Sequence, residues 1–284
     1  MAQDWSFPSI MSYPAWQASL AIIFFSTLFL LVWFSIVRPS LFGRYNFKSY
    51  ASALYRVILK GTPSELAVIA DEFSYSVREL VKNAPSKRNS VESTKLDEFS
   101  GYANDLLLLV GDKRFCRAVV DYSPNTILEI FKEISDQGKY GINISIFAKN
   151  IITAAFENRD SFIFHEAQGY DSGLIGYHKP LSKAIFGNYR LVEDVSTLLD
   201  PDYSQMSKWD KEQWAGFCRL TLTTFDSYLQ LGEQSHSYSL DRAFGYMEQA
   251  LSGLPSLNNL DEKFWNEDVY CRISVIAEFI KNAI

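Results

Sequence analysis

Apolar and polar positions divide the chain into two unlike parts. From Ala15 to Val37 there is no charged residue, and the run AWQASLAIIFFSTLFLLVWFSIV is 23 residues long. At ~1.5 Å per residue, a helix of that length crosses a hydrocarbon core of ~30 Å. The pattern therefore predicts a transmembrane helix over 15–37. A cleaved signal peptide would need a basic leading region and a small-residue exit. Residues 1–14 carry no Lys or Arg, and the exit reads Arg38-Pro39-Ser40-Leu41. A buried core helix is the other competitor, but few are so uniformly apolar. A retained anchor is the better reading.

After residue 38 the pattern changes to a helical period. Thr62-Pro63-Ser64-Glu65 is a capping box with proline at the first helical position. It is followed by Leu66, Ile69, Ala70, Phe73, Val77, Leu80 and Val81, the spacing of one buried face. One helix is expected there, closed by Pro85, with Ser86–Lys95 an exposed loop. Further helices are expected over 46–60, 96–110 and 112–121. Ser123-Pro124 is expected to cap and open another, ended by Gly138 and Gly141. The stretch 143–157 is rich in β-branched residues, which leaves strand open beside helix. Helices are predicted again at 188–199, 207–232, 239–252 (capped by Ser239) and 267–284. The 207–232 helix, expected to be the longest, is predicted to bury Trp214, Phe217, Cys218, Thr221, Phe225 and Leu229. The last is predicted to bury Val269, Ile273, Ile276 and Ile280. Residues 162–187 hold four glycines, a proline and two of the three histidines. They read as an irregular connection with one or two short helices. The expected class is all-α: one transmembrane helix, then a bundle-like or solenoid-like multi-helix domain.

Charge sets the orientation. Asp4 alone precedes the span, whereas Arg38, Arg44, Lys48, Arg56 and Lys60 follow it before any acidic residue. Basic flanks stay on the cytoplasmic side. Residues 1–14 are therefore expected outside the cell (inner) membrane and residues 38–284 in the cytoplasm. Trp16 and Trp33, with Arg38, Arg44 and Lys48, are the expected membrane-interface residues. Of the net charge of −6, residues 1–37 contribute −1 and 38–60 contribute +5, which leaves −10 for 61–284. That acidic remainder argues against a nucleic-acid partner. Cys116, Cys218 and Cys271 are isolated and odd in number, as in buried thiols of a reducing compartment.

Candidate chemistry is sparse. His165-Glu166 begins like a zinc-protease motif, but the position of the second histidine is Gly169. His165, Glu166, Asp171 and His178 could be gathered by a folded loop, yet such residues are far commoner on a plain surface. There is no phosphate loop and no hydrolase elbow. The pairs Asp71-Glu72 and Glu193-Asp194 point about 100° apart on a helix, so neither forms a dyad. Ala243, Met247, Ala250 and Pro255 fit the second half of a tetratricopeptide repeat, but the first half and a second copy are missing. No family is assigned, and no cofactor or metal is expected. The leading expectation is a membrane-anchored helical protein that binds a protein partner or itself at the cytoplasmic face. The alternatives are an oligomerising membrane effector or gated pore subunit with a cytoplasmic sensor domain, and a membrane-bound enzyme working through 162–194 with His165, Glu166 and His178.

Overall fold

The structure is a computed structural model describing residues 13–36, 41–86, 97–232, 235–252 and 267–283. All regular elements among them are helical, and no strand is present among them. The chain forms two compact units, Met1–Leu41 and Phe42–Ile284.

The first unit contains helix α1, Tyr13–Ile36. Its segment Pro14–Trp33 is long and apolar enough to cross a membrane, and none of it is buried. Two of its hydroxyls are satisfied within the helix. The Ser19 hydroxyl donates to the Ala15 carbonyl at 2.8 Å and that of Thr27 to Phe24 at 2.8 Å.

The second unit carries α2 (Phe47–Lys60), α3 (Pro63–Ser74), α4 (Val77–Asn83), α5 (Glu98–Leu109), α6 (Lys113–Tyr122), α7 (Pro124–Asp136) and α8 (Ser145–Glu157). It continues with α9 (Phe162–Gln168), α10 (Pro180–Phe186), α11 (Tyr189–Val195), α12 (Tyr203–Met206), α13 (Lys211–Leu231), α14 (Tyr238–Ser252) and α15 (Glu267–Ala283). Packing advances with the chain. Helix α3 lies on α6 and α7, α6 on α8, α8 on α9, α9 on α13, and α13 on α15. One continuous apolar core runs from Phe42 to Phe279. This progression is nearer to the solenoid alternative than to a simple bundle.

Aromatic side chains, 15 % of the chain, tie parts of this core together. Phe42 stacks on Phe99 at 4.9 Å, and Phe47 meets Phe99 edge-on at 5.6 Å. Farther along, Phe156 stacks on Trp209 at 4.9 Å, and Trp209 meets Trp214 at 5.5 Å.

Several expectations are corrected. The helix predicted through 66–81 is two helices, broken at Tyr75 and Ser76. The break exposes the Ser76 hydroxyl to the entering chain, where it accepts the Phe42 amide at 3.1 Å. The stretch 143–157, left open between helix and strand, is helical over Ser145–Glu157. Ser123 does not cap α7 with its side chain; that hydroxyl lies 2.9 Å from the Thr126 hydroxyl. Helix α13 starts at a second capping box, Asp210 with Gln213, rather than at Ser207. Helix α13, with 21 residues, is the longest described helix of the second unit, as expected. Leu229 is 57 % exposed, because here α13 turns Tyr228, not Leu229, toward its neighbour: the Tyr228 ring meets Tyr189 at 4.9 Å. In α15 the buried side chains among the described ones are Val275, Ile276 and Phe279, while Ile280 is 50 % exposed; the side chain of Val269 lies outside the described ones. Phe279 sets that register by packing on Phe244 at 5.9 Å. The loop expected at Ser86–Lys95 lies almost wholly outside the described residues.

Helix ends are satisfied by side chains from distant helices. The Arg114 guanidinium donates to the Ile58 and Leu59 carbonyls at the end of α2. Lys139 serves the Lys82 and Ala84 carbonyls at the end of α4, and Arg219 serves Ala167 and Gln168 at the end of α9. Carboxylates do the reverse at starts. Glu193 accepts the amides of Tyr238 at 2.9 Å and Ser239 at 3.1 Å, opening α14. Ser237, not Ser239, supplies the hydroxyl cap, accepting the Leu240 amide at 3.2 Å. Each cation or anion sits where the helix dipole favours it.

Candidate functional site

The segment 162–187 folds into α9, a 3₁₀ turn at Gly169–Ser172 and α10, joined by 173–179. Helix α9 starts on Ser161, whose hydroxyl accepts the Phe164 amide at 3.2 Å. It ends at Gly169, where φ is +61°. A side chain there would be strained by that conformation and would meet the Lys179 ammonium at 2.6 Å. Gly169 is thus fixed by backbone geometry, which explains why this position does not carry a second histidine.

Glu166 is 2 % exposed. Its carboxylate accepts the amides of Leu181 at 3.2 Å and Ser182 at 2.6 Å, capping α10 from fifteen residues away. Pro180 at the start of α10 has no amide to satisfy. His165 is half-buried, and its Nδ1 is enclosed without a hydrogen-bond partner. His178 is exposed and lines a cleft of about 640 Å³ with Tyr177, Lys183, Thr223, Asp226 and Gln230. The three candidates do not converge on one reacting point. Glu166 is bound to backbone, and only His178 of the two histidines lines the cleft. Among the described residues, no group of three His, Cys, Asp or Glu side chains could hold a metal ion.

An exposed aromatic pair, of which Tyr177 lines this cleft, is not evident from the sequence. Tyr170 and Tyr177 meet edge to face at 5.2 Å, although they are 65 % and 95 % exposed. The Tyr177 hydroxyl beside it pushes the Tyr170 phenol above the usual tyrosine range. Tyr170 lies across Gly176, where a side chain would strike its ring at 2.9 Å. Leu174, between them in sequence, is also largely exposed. The glycines at 173 and 176 were the available signal, since they let the loop turn tightly and seat a ring on its backbone.

The interface residues named from sequence occupy two places. On α1, Trp16 is partly covered, and Trp33 is exposed and stacked on Phe29 at 5.9 Å. Arg38 lies outside the described residues. Arg44 pairs with Asp97 at 3.3 Å and lies over the Phe99 ring at 5.6 Å. Lys48 pairs with Glu98 at 2.7 Å, and the hydrogen bond and charge of Glu98 raise its pKa.

Cys116 and Cys218 are buried free thiols. Burial pushes the Cys116 thiol well above the usual range and Cys218 up to about 12. Neither has the low-pKa setting of a nucleophile. No family model matches the chain, and comparison with curated proteins and with solved structures gives no match.

Proposed function

We propose that the protein is a membrane-anchored helical adaptor that holds a protein partner, or another copy of itself, at the cytoplasmic face. The observation that carries the reading is the exposed cluster of Tyr170, Leu174 and Tyr177 on a helical body. Exposed aromatics that are already paired lose little freedom on binding, and tyrosines are enriched in interface hot spots. An open cleft beside them suits a partner's side chain better than it suits catalysis.

The anchor half of the reading is supported by α1. Its length suits a bilayer, and Ser19 and Thr27 satisfy their hydroxyls within the helix, as lipid surroundings require. Trp16 and Trp33 are separated by about 26 Å of helix rise, a spacing that suits aromatic belts at two interfaces. The basic flank after the span argues for a cytoplasmic body.

The enzyme alternative is supported less well, since the Glu166 carboxylate is engaged in capping α10 and Gly169 stands where a second ligand would be. The test compares full-length protein with the double variant Tyr170→Ala/Tyr177→Ala, extracted from membranes in the same detergent. Light scattering and mass spectrometry should find a defined complex with the parent chain and its loss in the variant, while circular dichroism stays unchanged. A complex of the same composition in both, or a bare monomer with the parent chain, would remove the adaptor reading.

A further inference from the structure

The first helix of the second unit presents two opposite faces. Leu54 and Ile58 are buried in the core. About 100° per residue places Tyr55, Leu59, Arg56 and Lys60 on the other side. Tyr55 is 55 % and Leu59 53 % exposed. These two lie four residues apart, so they form one apolar stripe, and Arg56 and Lys60 form a parallel basic one. Lys48 extends this face, but its charge is matched by Glu98. Arg56 and Lys60 make no ion pair among the described residues. Residues 38–64 contain no acidic side chain, whereas residues 61–284 carry −10 overall.

We infer that the outward face of α2 rests on an anionic lipid surface, with Tyr55 and Leu59 in the headgroup boundary and Arg56 and Lys60 against phosphates. The inference rests on the reading of α1 as a membrane span. Charge complementarity argues for the occupant, because this is a basic face on an acidic unit. Chain length argues for it too. Only residues 37–40 separate the end of α1 from Leu41, and five residue steps reach no more than about 18 Å. Exposed tyrosine and leucine interleaved with Lys and Arg is the composition of an interfacial helix. Of the basic flank, Arg44 and Lys48 are paired by the fold with Asp97 and Glu98, which leaves Arg56 and Lys60 for the phosphates.

The experiment uses the full chain reconstituted in phosphatidylcholine vesicles with and without phosphatidylglycerol. A nitroxide is attached at Leu59→Cys, or at Glu248→Cys as an exposed control, in a Cys271→Ser background. Collision with oxygen should dominate at position 59 in the phosphatidylglycerol vesicles. Collision with a water-soluble chromium complex should dominate at position 248. Adding Arg56→Glu and Lys60→Glu should abolish the lipid signature at 59. A water-exposed label at 59 in protein that resists carbonate extraction overturns this inference and leaves the anchor standing. A label shielded from both reagents means that a protein covers the face, and it also overturns the inference. Release of the whole protein by carbonate removes the anchor reading, and the inference falls with it.

Discussion

The carboxylate of Glu166 receives the backbone amide of Ser182 at 2.6 Å. A buried anion held by two amides at a helix start is a structural joint, and it ties α9 to α10 across an otherwise irregular loop. Glu166→Ala leaves both amides without their acceptor. That should cost about 1–3 kcal/mol in urea unfolding of the detergent-solubilised protein. Glu166→Gln keeps a neutral acceptor and should cost less.

Two glycines should respond to alanine with opposite signs. Gly169 combines a φ of +61° with the Lys179 ammonium in the way of a side chain. Gly169→Ala should destabilise by roughly 1–3 kcal/mol. Gly101 lies within α5, and nothing stands within 4 Å of a Cβ added there. Gly101→Ala should stabilise by about 0.5–1 kcal/mol. Thermal unfolding of the two variants side by side checks both signs.

The aromatic cluster at the start of the second unit should be costly to open. Phe99 is 4 % exposed and stacks on Phe42 while Phe47 meets its edge. Phe99→Ala should lose about 3–5 kcal/mol, read from the shift of the urea midpoint.

The buried thiols predict a pH effect of definite sign. In the folded state, Cys116 and Cys218 stay protonated well above the ordinary thiol range. In the unfolded chain they ionise above about pH 8.5. Above that pH the folded state binds more protons than the unfolded state, so stability falls as pH rises. Replacing both with alanine should flatten the part of this decline that begins near pH 8.5. Urea midpoints of parent and variant, compared between neutral pH and about pH 9.5, measure it.

Much of the fold is legible because helix signals are local. Thr62-Pro63-Ser64-Glu65 announces α3, and the structure forms both hydrogen bonds of that capping box. The buried face of α7, with Ile127, Ile130, Phe131 and Ile134, follows directly from its period. Asp210-Lys211-Glu212-Gln213 was an equally local signal for the start of α13. Other features depend on partners far apart in sequence. Arg114 meets the end of α2 fifty-five residues upstream, and Glu193 opens α14 forty-five residues downstream. No spacing rule joins such pairs. Glu166 belongs to the same set, and for that reason His165-Glu166 looked like chemistry when the acid was a cap. The pairing of Tyr170 with Tyr177 was hidden similarly, because ring contact across a glycine turn depends on the turn's geometry. At the ends of α13 and α15 the period alone selects Leu229 and Ile280, whereas tertiary contact selects the preceding residues, Tyr228 on Tyr189 and Phe279 on Phe244.

Helix α2 is held at both ends. Lys48 grips Glu98 at its start, while Arg114 holds the carbonyls of Ile58 and Leu59 at its finish. In mechanical terms it is a clamped beam and not a leash. Leu41 leads directly into the Phe42–Phe99 stack, and the two contacts tie α2 to α5 and α6.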